Sequence, residues 1–262
     1  MHRLTTTVLA LALTGILLGC TPALSTQTVA GETVMFNGAV VRTSAQLNQS
    51  GMVQSVSVTL PYAVVTNAPV AHDMTAPPVI AAVAFPAAVR AQTFFNHFEV
   101  DWMPMGHEPV RYGTPHFDFH FYSVDPAAVS AVDCRNATQP EMSRVPSGWL
   151  PPVPPGTPDP TSMCVPHMGY HALPRTEFKA PGVLQDGMFD QVMITGFYGG
   201  KLTFIEPMVT QAALARKTDF TLPVPQPTGL GRESLFPTTF DARYNASSET
   251  YTLTFAGFKT LQ

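Results

Sequence analysis

Residues Pro115 to Tyr122 read Pro-His-Phe-Asp-Phe-His-Phe-Tyr, and this strict alternation limits the fold more than any other feature of the chain. Successive side chains of a β-strand point to opposite faces, so His116, Asp118 and His120 share one face and Phe117, Phe119 and Phe121 the other. Three phenylalanines make a ladder that must be buried. Three ionisable groups on the opposite face are costly to bury without partners, so that face needs a polar site of its own. A helix would mix the two sets around its circumference. The segment is therefore a strand with two chemically opposed faces.

The rest of the sequence supports a β protein. Its 26 prolines and 18 glycines argue against long helices and for strands joined by turns. Strand-like runs are expected at Thr33–Val41, Val53–Leu60, Val79–Phe85, Phe94–Trp102 and Glu249–Phe258. The clearest hairpin joins Gln191–Tyr198 to Lys201–Glu206 through Gly199-Gly200, a pair able to supply the positive φ angles of a two-residue turn. Thr210–Arg216 suits a short helix. From Pro140 to Pro166 the chain is too rich in proline for a central strand and reads as a long excursion. The fold expected is mainly β, an antiparallel barrel or two-sheet sandwich with little helix.

The N-terminus carries an export pattern. Arg3 precedes an apolar run from Leu4 to Leu18, the length of a signal-peptide core and short of the roughly 20 residues that span a membrane. It ends in Leu17-Leu18-Gly19-Cys20, which resembles a bacterial lipobox. The implied organisation is a signal peptide over residues 1–19, a lipidated Cys20 opening a tether over residues 20–32, and a single β-rich domain over residues 33–262. Thr21 in place of Asp after the cysteine resembles the outer-membrane or cell-surface sorting pattern. The expected location is the cell envelope, facing an extracytoplasmic space, with lipid chains as the membrane contact.

Two cysteines remain, Cys134 and Cys164. In an oxidising compartment such a pair favours a disulfide over two buried thiols. The bridge would close a loop of about 30 residues, worth roughly 3–4 kcal/mol in the chain-entropy model. Charged residues make up 12% of the chain and the formal net charge is −4, which leaves no electrostatic footprint for nucleic acid.

Six of the eight histidines fall between His97 and His171, around the alternating strand. Imidazole is the commonest metal ligand and a carboxylate a good companion. Candidate ligands for a divalent metal ion are His107, His116, Asp118, His120 and His171, with Glu206 as a candidate ligand-binding residue. Not all of them fit on one ion. Residues four apart on a straight strand have Cα atoms ~13 Å apart, at ~3.3 Å per residue. Either the strand bends, or Asp118 joins only one of the two histidines, or one histidine stands behind the other ligands. The bland alternative is a hydrogen-bonded network in which Asp118 holds the histidines.

Catalytic signatures are few. The chain has no His-Glu-x-x-His, no Gly-x-Ser-x-Gly, no Ser-x-x-Lys and no Gly-rich phosphate loop. Glu99, Asp101, Asp118 and Glu206 offer carboxylate pairs for glycoside cleavage, with no spacing that selects one pair. Gly106-His107-Glu108-Pro109, Pro115 to Tyr122, Met168-Gly169 with His171, and Phe204-Ile205-Glu206-Pro207-Met208 resemble the landmarks of a family of uncharacterised secreted bacterial proteins, a domain of unknown function. That resemblance covers roughly residues 90–225. It implies export, one β domain, and a common architecture for Glu206 and the histidine strand.

The leading expectation is a cell-envelope lipoprotein that binds a small-molecule ligand or a metal ion, or assembles as a homo-oligomer. A metal-dependent enzyme (an isomerase, cyclase or oxygenase-like activity) is the competing class. A purely structural envelope protein is third.

Overall fold

A computed structural model describes residues 26–71 and 79–262. The leader and Cys20 lie outside these described residues, so the expected signal peptide and lipidation site do too. Two antiparallel sheets dominate. The first is ordered β1 (Gln27–Phe36), β2 (Ala39–Leu47), β3 (Val53–Pro61), β16 (Thr250–Ala256), β15 (Thr239–Asn245) and β13 (Phe220–Thr221). The second is ordered β4 (Val79–Ala84), β5 (His97–Met103), β6 (His116–Tyr122), β12 (Lys201–Thr210), β11 (Gln191–Tyr198), β8 (Gly169–Ala172) and β7 (Cys164–Val165). Two short ribbons complete the strands: β9 (Phe178–Ala180) with β10 (Val183–Leu184), and β14 (Ser234–Phe236) with β17 (Lys259–Leu261). Helix is confined to short segments: α1 (Ala63–Thr66), α2 (Ala87–Gln92), α3 (Pro126–Ser130) and α4 (Gln211–Ala215). The mainly β expectation holds.

The core lies between the sheets. Val41, Val56, Val58, Leu253 and Phe255 from the first sheet meet Phe98, Val100, Phe117, Phe119, Phe121 and Ile205 from the second, all essentially inaccessible to solvent. Phe121 sets its edge against Phe255 at 4.8 Å between ring centroids, and Phe119 stacks on Phe117 at 5.9 Å. Burial of this kind stabilises by about 25 cal/mol per Å² of apolar surface and makes the alternation of β6 a fixed register. Along one side the sheets approach each other, and the Thr43 hydroxyl donates to the Ala84 carbonyl at 2.7 Å. Gly31 lies at that corner, where an added Cβ would stand 2.2 Å from the Thr43 hydroxyl oxygen. Only a glycine lets the edges come so close.

Several boundaries differ from expectation; the strand expected from Phe94 starts only at His97 and runs to Met103. The run Thr33–Val41 is not one strand: Asn37 and Gly38, with φ of 47° and 75°, form a two-residue turn between β1 and β2. β1 also begins at Gln27, inside the expected tether, because Gln27 to Ala30 pair with Leu47 to Ser44. The hairpin strand continues past Glu206 to Thr210. Pro207 lacks an amide N–H, so the ladder to β6 breaks at Glu206 and Pro207 and resumes at Met208.

Cys134 and Cys164 are bonded, with Cα atoms 5.5 Å apart. The Pro-rich excursion between them is packed rather than loose. Its Trp149 is buried and donates its indole N–H to the Met193 carbonyl at 3.1 Å. Trp149 and Val153 join the main core, while α3 and the segments carrying Tyr112 and Phe189 lie over the outer face of the second sheet. That cover buries the polar face of β6.

Candidate metal centre

Pairing positions the polar residues. In the β5–β6 ladder His97 faces Tyr122, Glu99 faces His120, and Asp101 faces Asp118. On the other side of β6, Phe204 pairs with Tyr122 and Met208 with Asp118, and this register sets Glu206 opposite His120. β8 adds His171, paired with Gly196 of β11. An added Cβ on Gly196 would stand 1.9 Å from the Phe204 ring. Its absence lets Phe204 lie edge-on to His120 at 4.8 Å and to His171 at 5.3 Å. The loop before β6 brings the His107 ring to 4.8 Å from that of His116.

All six residues expected at a site come together, in two groups. His107, His116 and Asp118 form one; His120, His171 and Glu206 form the other. Within each group the donor atoms lie within 4.8 Å of one another. Between His116 Nε2 and Asp118 Oδ1 the distance is 3.2 Å. Glu206 Oε2 is 3.7 Å from His120 Nε2 and 4.0 Å from His171 Nε2. Two donors each ~2.1 Å from a tetrahedral ion stand about 3.4 Å apart, so these separations suit a shared ion. Asp118 therefore joins His116 and leaves His120 to Glu206, one of the three arrangements the strand geometry allows.

The other ring nitrogens are held from behind. Nδ1 of His107 meets the Glu108 carbonyl at 2.8 Å, and Nδ1 of His116 meets the Thr114 carbonyl at 2.7 Å. A carbonyl only accepts, so both nitrogens carry a proton, and in the neutral rings it is Nε2 that presents the lone pair. For His120, the Asp101 carboxylate stands 2.9 Å from Nδ1, again on the side away from Glu206. Metal-bound histidines have this outer support, which fixes the ring and its tautomer. A third group, Glu99 with Asp101 and His120, also has donors at ligand spacing. It uses Nδ1 of the same ring and offers no second imidazole, so Asp101 fits better as the support of His120 than as a ligand.

Burial makes the arrangement costly as a mere network. His116 and His120 are fully buried, and Asp101, Asp118 and Glu206 nearly so. His116 Nε2, Asp118 Oδ1, His120 Nε2 and Glu206 Oε2 have no aligned hydrogen-bond partner, and neither do both Asp101 oxygens and His120 Nδ1. Each such atom costs roughly 1–3 kcal/mol. A hydrogen-bonded scaffold would satisfy these atoms; donors waiting for an ion would not.

The charges are displaced accordingly. Burial opposes the His120 charge, yet the carboxylates of Glu206 and Asp101 outweigh it and lift that imidazole to about 10. Burial pushes Glu206 up to about 8 against the pull of His120. Asp101 is raised by burial, and Glu99, buried beside Asp101, rises to about 7. In the first group, burial opposes ionisation of both partners, but Asp118 raises His116 and His116 lowers Asp118. His171 is pushed down by burial and by its neighbours His120 and His107. The cluster without a metal retains protons that an ion would replace.

Other histidines stay apart. His97 points Nδ1 at the Val124 carbonyl at 3.0 Å and stacks on Tyr122, and burial drives it down to about 4. His167 is exposed beside the disulfide. Asp101 and Glu99, which the sequence offered only as carboxylates without a selecting spacing, stand beside His120. Their shared face with His97 was visible, but their alignment with β6 was not. A cavity of about 300 Å³ has Tyr122, Thr203 and Lys201 among its walls and none of the six candidate ligands. The Tyr122 and Thr203 hydroxyls are buried there without hydrogen-bond partners, and the Tyr122 ring stacks on His120 at 5.3 Å.

Among the described residues, no helix is long and apolar enough to cross a membrane. Compared with protein-family models, curated proteins and solved structures, the chain matches none.

Proposed function

We propose that this chain is a cell-envelope lipoprotein whose β domain binds a divalent first-row metal ion on the outer face of its second sheet. One observation carries the metal reading: buried imidazole Nε2 atoms face carboxylates at ligand spacing while their Nδ1 atoms are held from behind. Two imidazoles and one carboxylate suit zinc, iron, cobalt or manganese. With both cysteines of the domain bonded to each other, thiolate is not among the donors. Export and lipid attachment rest on the Leu-Leu-Gly-Cys20 pattern, and the disulfide supports an oxidising compartment.

Elemental analysis of the full chain, purified in detergent without chelator or metal-affinity resin, tests the reading. Bound zinc or another first-row ion is expected, reduced in His120→Ala and in His116→Ala while the fold persists by circular dichroism. A metal-free protein that also fails to take up added zinc would end this proposal.

A second reading, a metal-dependent enzyme, is favoured by the incomplete ligand sets. Three protein donors leave a position open for water or substrate, as catalytic sites do. Water-proton relaxation of the Mn²⁺-loaded protein distinguishes the two readings. Fast-exchanging bound water supports chemistry at the ion; none supports a closed binding site.

A further inference from the structure

We propose that the outer face holds two ions, one on either side of Asp118; this rests on the metal-binding reading above. β6 runs without a bulge, and every residue from His116 to Tyr122 pairs in unbroken register with β5. The strand therefore does not bend to bring its two histidines together. At ~3.3 Å per residue their Cα atoms lie ~13 Å apart, and their imidazoles cannot close on one ion at ~2.0–2.1 Å. Each nonetheless has a full set of companions. His116 has His107 and Asp118; His120 has His171 and Glu206, and the two sets share no residue. Each is the same chemical unit, two imidazoles with one carboxylate.

Charge points the same way. Four carboxylates, Glu99, Asp101, Asp118 and Glu206, converge on this face, three of them buried and Glu99 half-buried. Among the described residues Asp101, Asp118 and Glu206 pair only with histidines, Glu99 has no ion pair, and no Lys or Arg stands within ion-pair distance of any of them. Buried charge must be paired or neutralised. With the imidazoles neutral, as ligands must be, and all four carboxylates ionised, one divalent ion leaves two negative charges and two ions leave none; each proton kept on Glu99 or Asp101 lowers that count by one. Asp118 is central: two residues from each histidine on one face, it ligates the first ion and faces the second across ~6.6 Å of strand.

The experiment is a titration of the metal-depleted full chain in detergent with Co²⁺, followed by visible absorption and by elemental analysis after desalting. Two equivalents are expected for the native chain, and one each for His116→Ala and His120→Ala. One equivalent in the native chain, kept in His116→Ala and lost in His120→Ala, overturns the two-ion centre and leaves the single-ion reading standing. No bound cobalt or zinc at all removes both. Where an alanine variant fails to fold, His116→Gln and Glu206→Gln replace it, and the native stoichiometry decides by itself.

Discussion

The two faces of the second sheet are built on the same strands and obey opposite rules. Its inner face is phenylalanine against phenylalanine, with every ring in contact and nothing left to satisfy. Its outer face is equally buried, yet holds imidazoles and carboxylates whose hydrogen-bonding atoms lack aligned partners. The first face stabilises the fold; the second draws on that stability to keep its donors in place. A strand's period of two is what lets one heptapeptide, His116 to Tyr122, serve both.

The largest blow to this division would come from the apolar side. Phe119→Ala should cost about 3–5 kcal/mol, read from urea or thermal unfolding, because it empties the centre of a packed layer. In the fraction that stays folded, metal stoichiometry should be unchanged. Altered stoichiometry in the folded form would mean that the two faces are not independent.

A smaller effect is expected from the polar side. Asp101→Asn keeps the shape beside His120 Nδ1 but removes the charge, and should weaken metal affinity about 10–100-fold by competition with a chromophoric chelator. Metal-free melting should shift little by comparison with Phe119→Ala. Unchanged affinity would show that Asp101 does not support His120.

The proton dependence tests the polar side alone. Without metal His120 is held up to about 10 and Glu206 to about 8, so both retain protons at pH 7 that an ion must displace. Apparent affinity should thus rise from pH 6 to pH 9, by at most about tenfold per unit for each proton released. An affinity that levels off above pH 7, as for histidines with an ordinary pKa near 6.5, would contradict the coupling of His120 to its carboxylates.

Much of the comparison was legible in the residues. The alternation of Pro115 to Tyr122 gave both faces of β6, Gly199-Gly200 gave the β11–β12 hairpin, and two cysteines left one intramolecular pairing. Strand rise showed that a straight strand could not put His116 and His120 on one ion, and left a bent strand open; Asp118 stands beside His116. Strand partners were the obscure part. Nothing local to Glu99 or Asp101 says that β5 lies beside β6 in the register that brings Asp101 to His120, because register is decided by the packing of both faces at once. Pro207 misled for a similar reason: a proline ends most strands, but here the ladder tolerates a gap between Ile205 and Met208. The Asn37-Gly38 turn was readable and lay hidden within an apolar run.

The donors are scattered along the chain: His107, the β6 trio, His171 beyond the disulfide excursion, and Glu206 on β12, which must reach back to pair with β6. No fragment ending before β12 contains both groups, and long-range pairing of this kind is slow to form. A nascent chain therefore lacks the second group until β12 is made, although the residues of the first, His107, His116 and Asp118, are already in it. On the proposed reading the second group is assembled only after β12 has docked, so the ion pool present where folding finishes decides what that group binds.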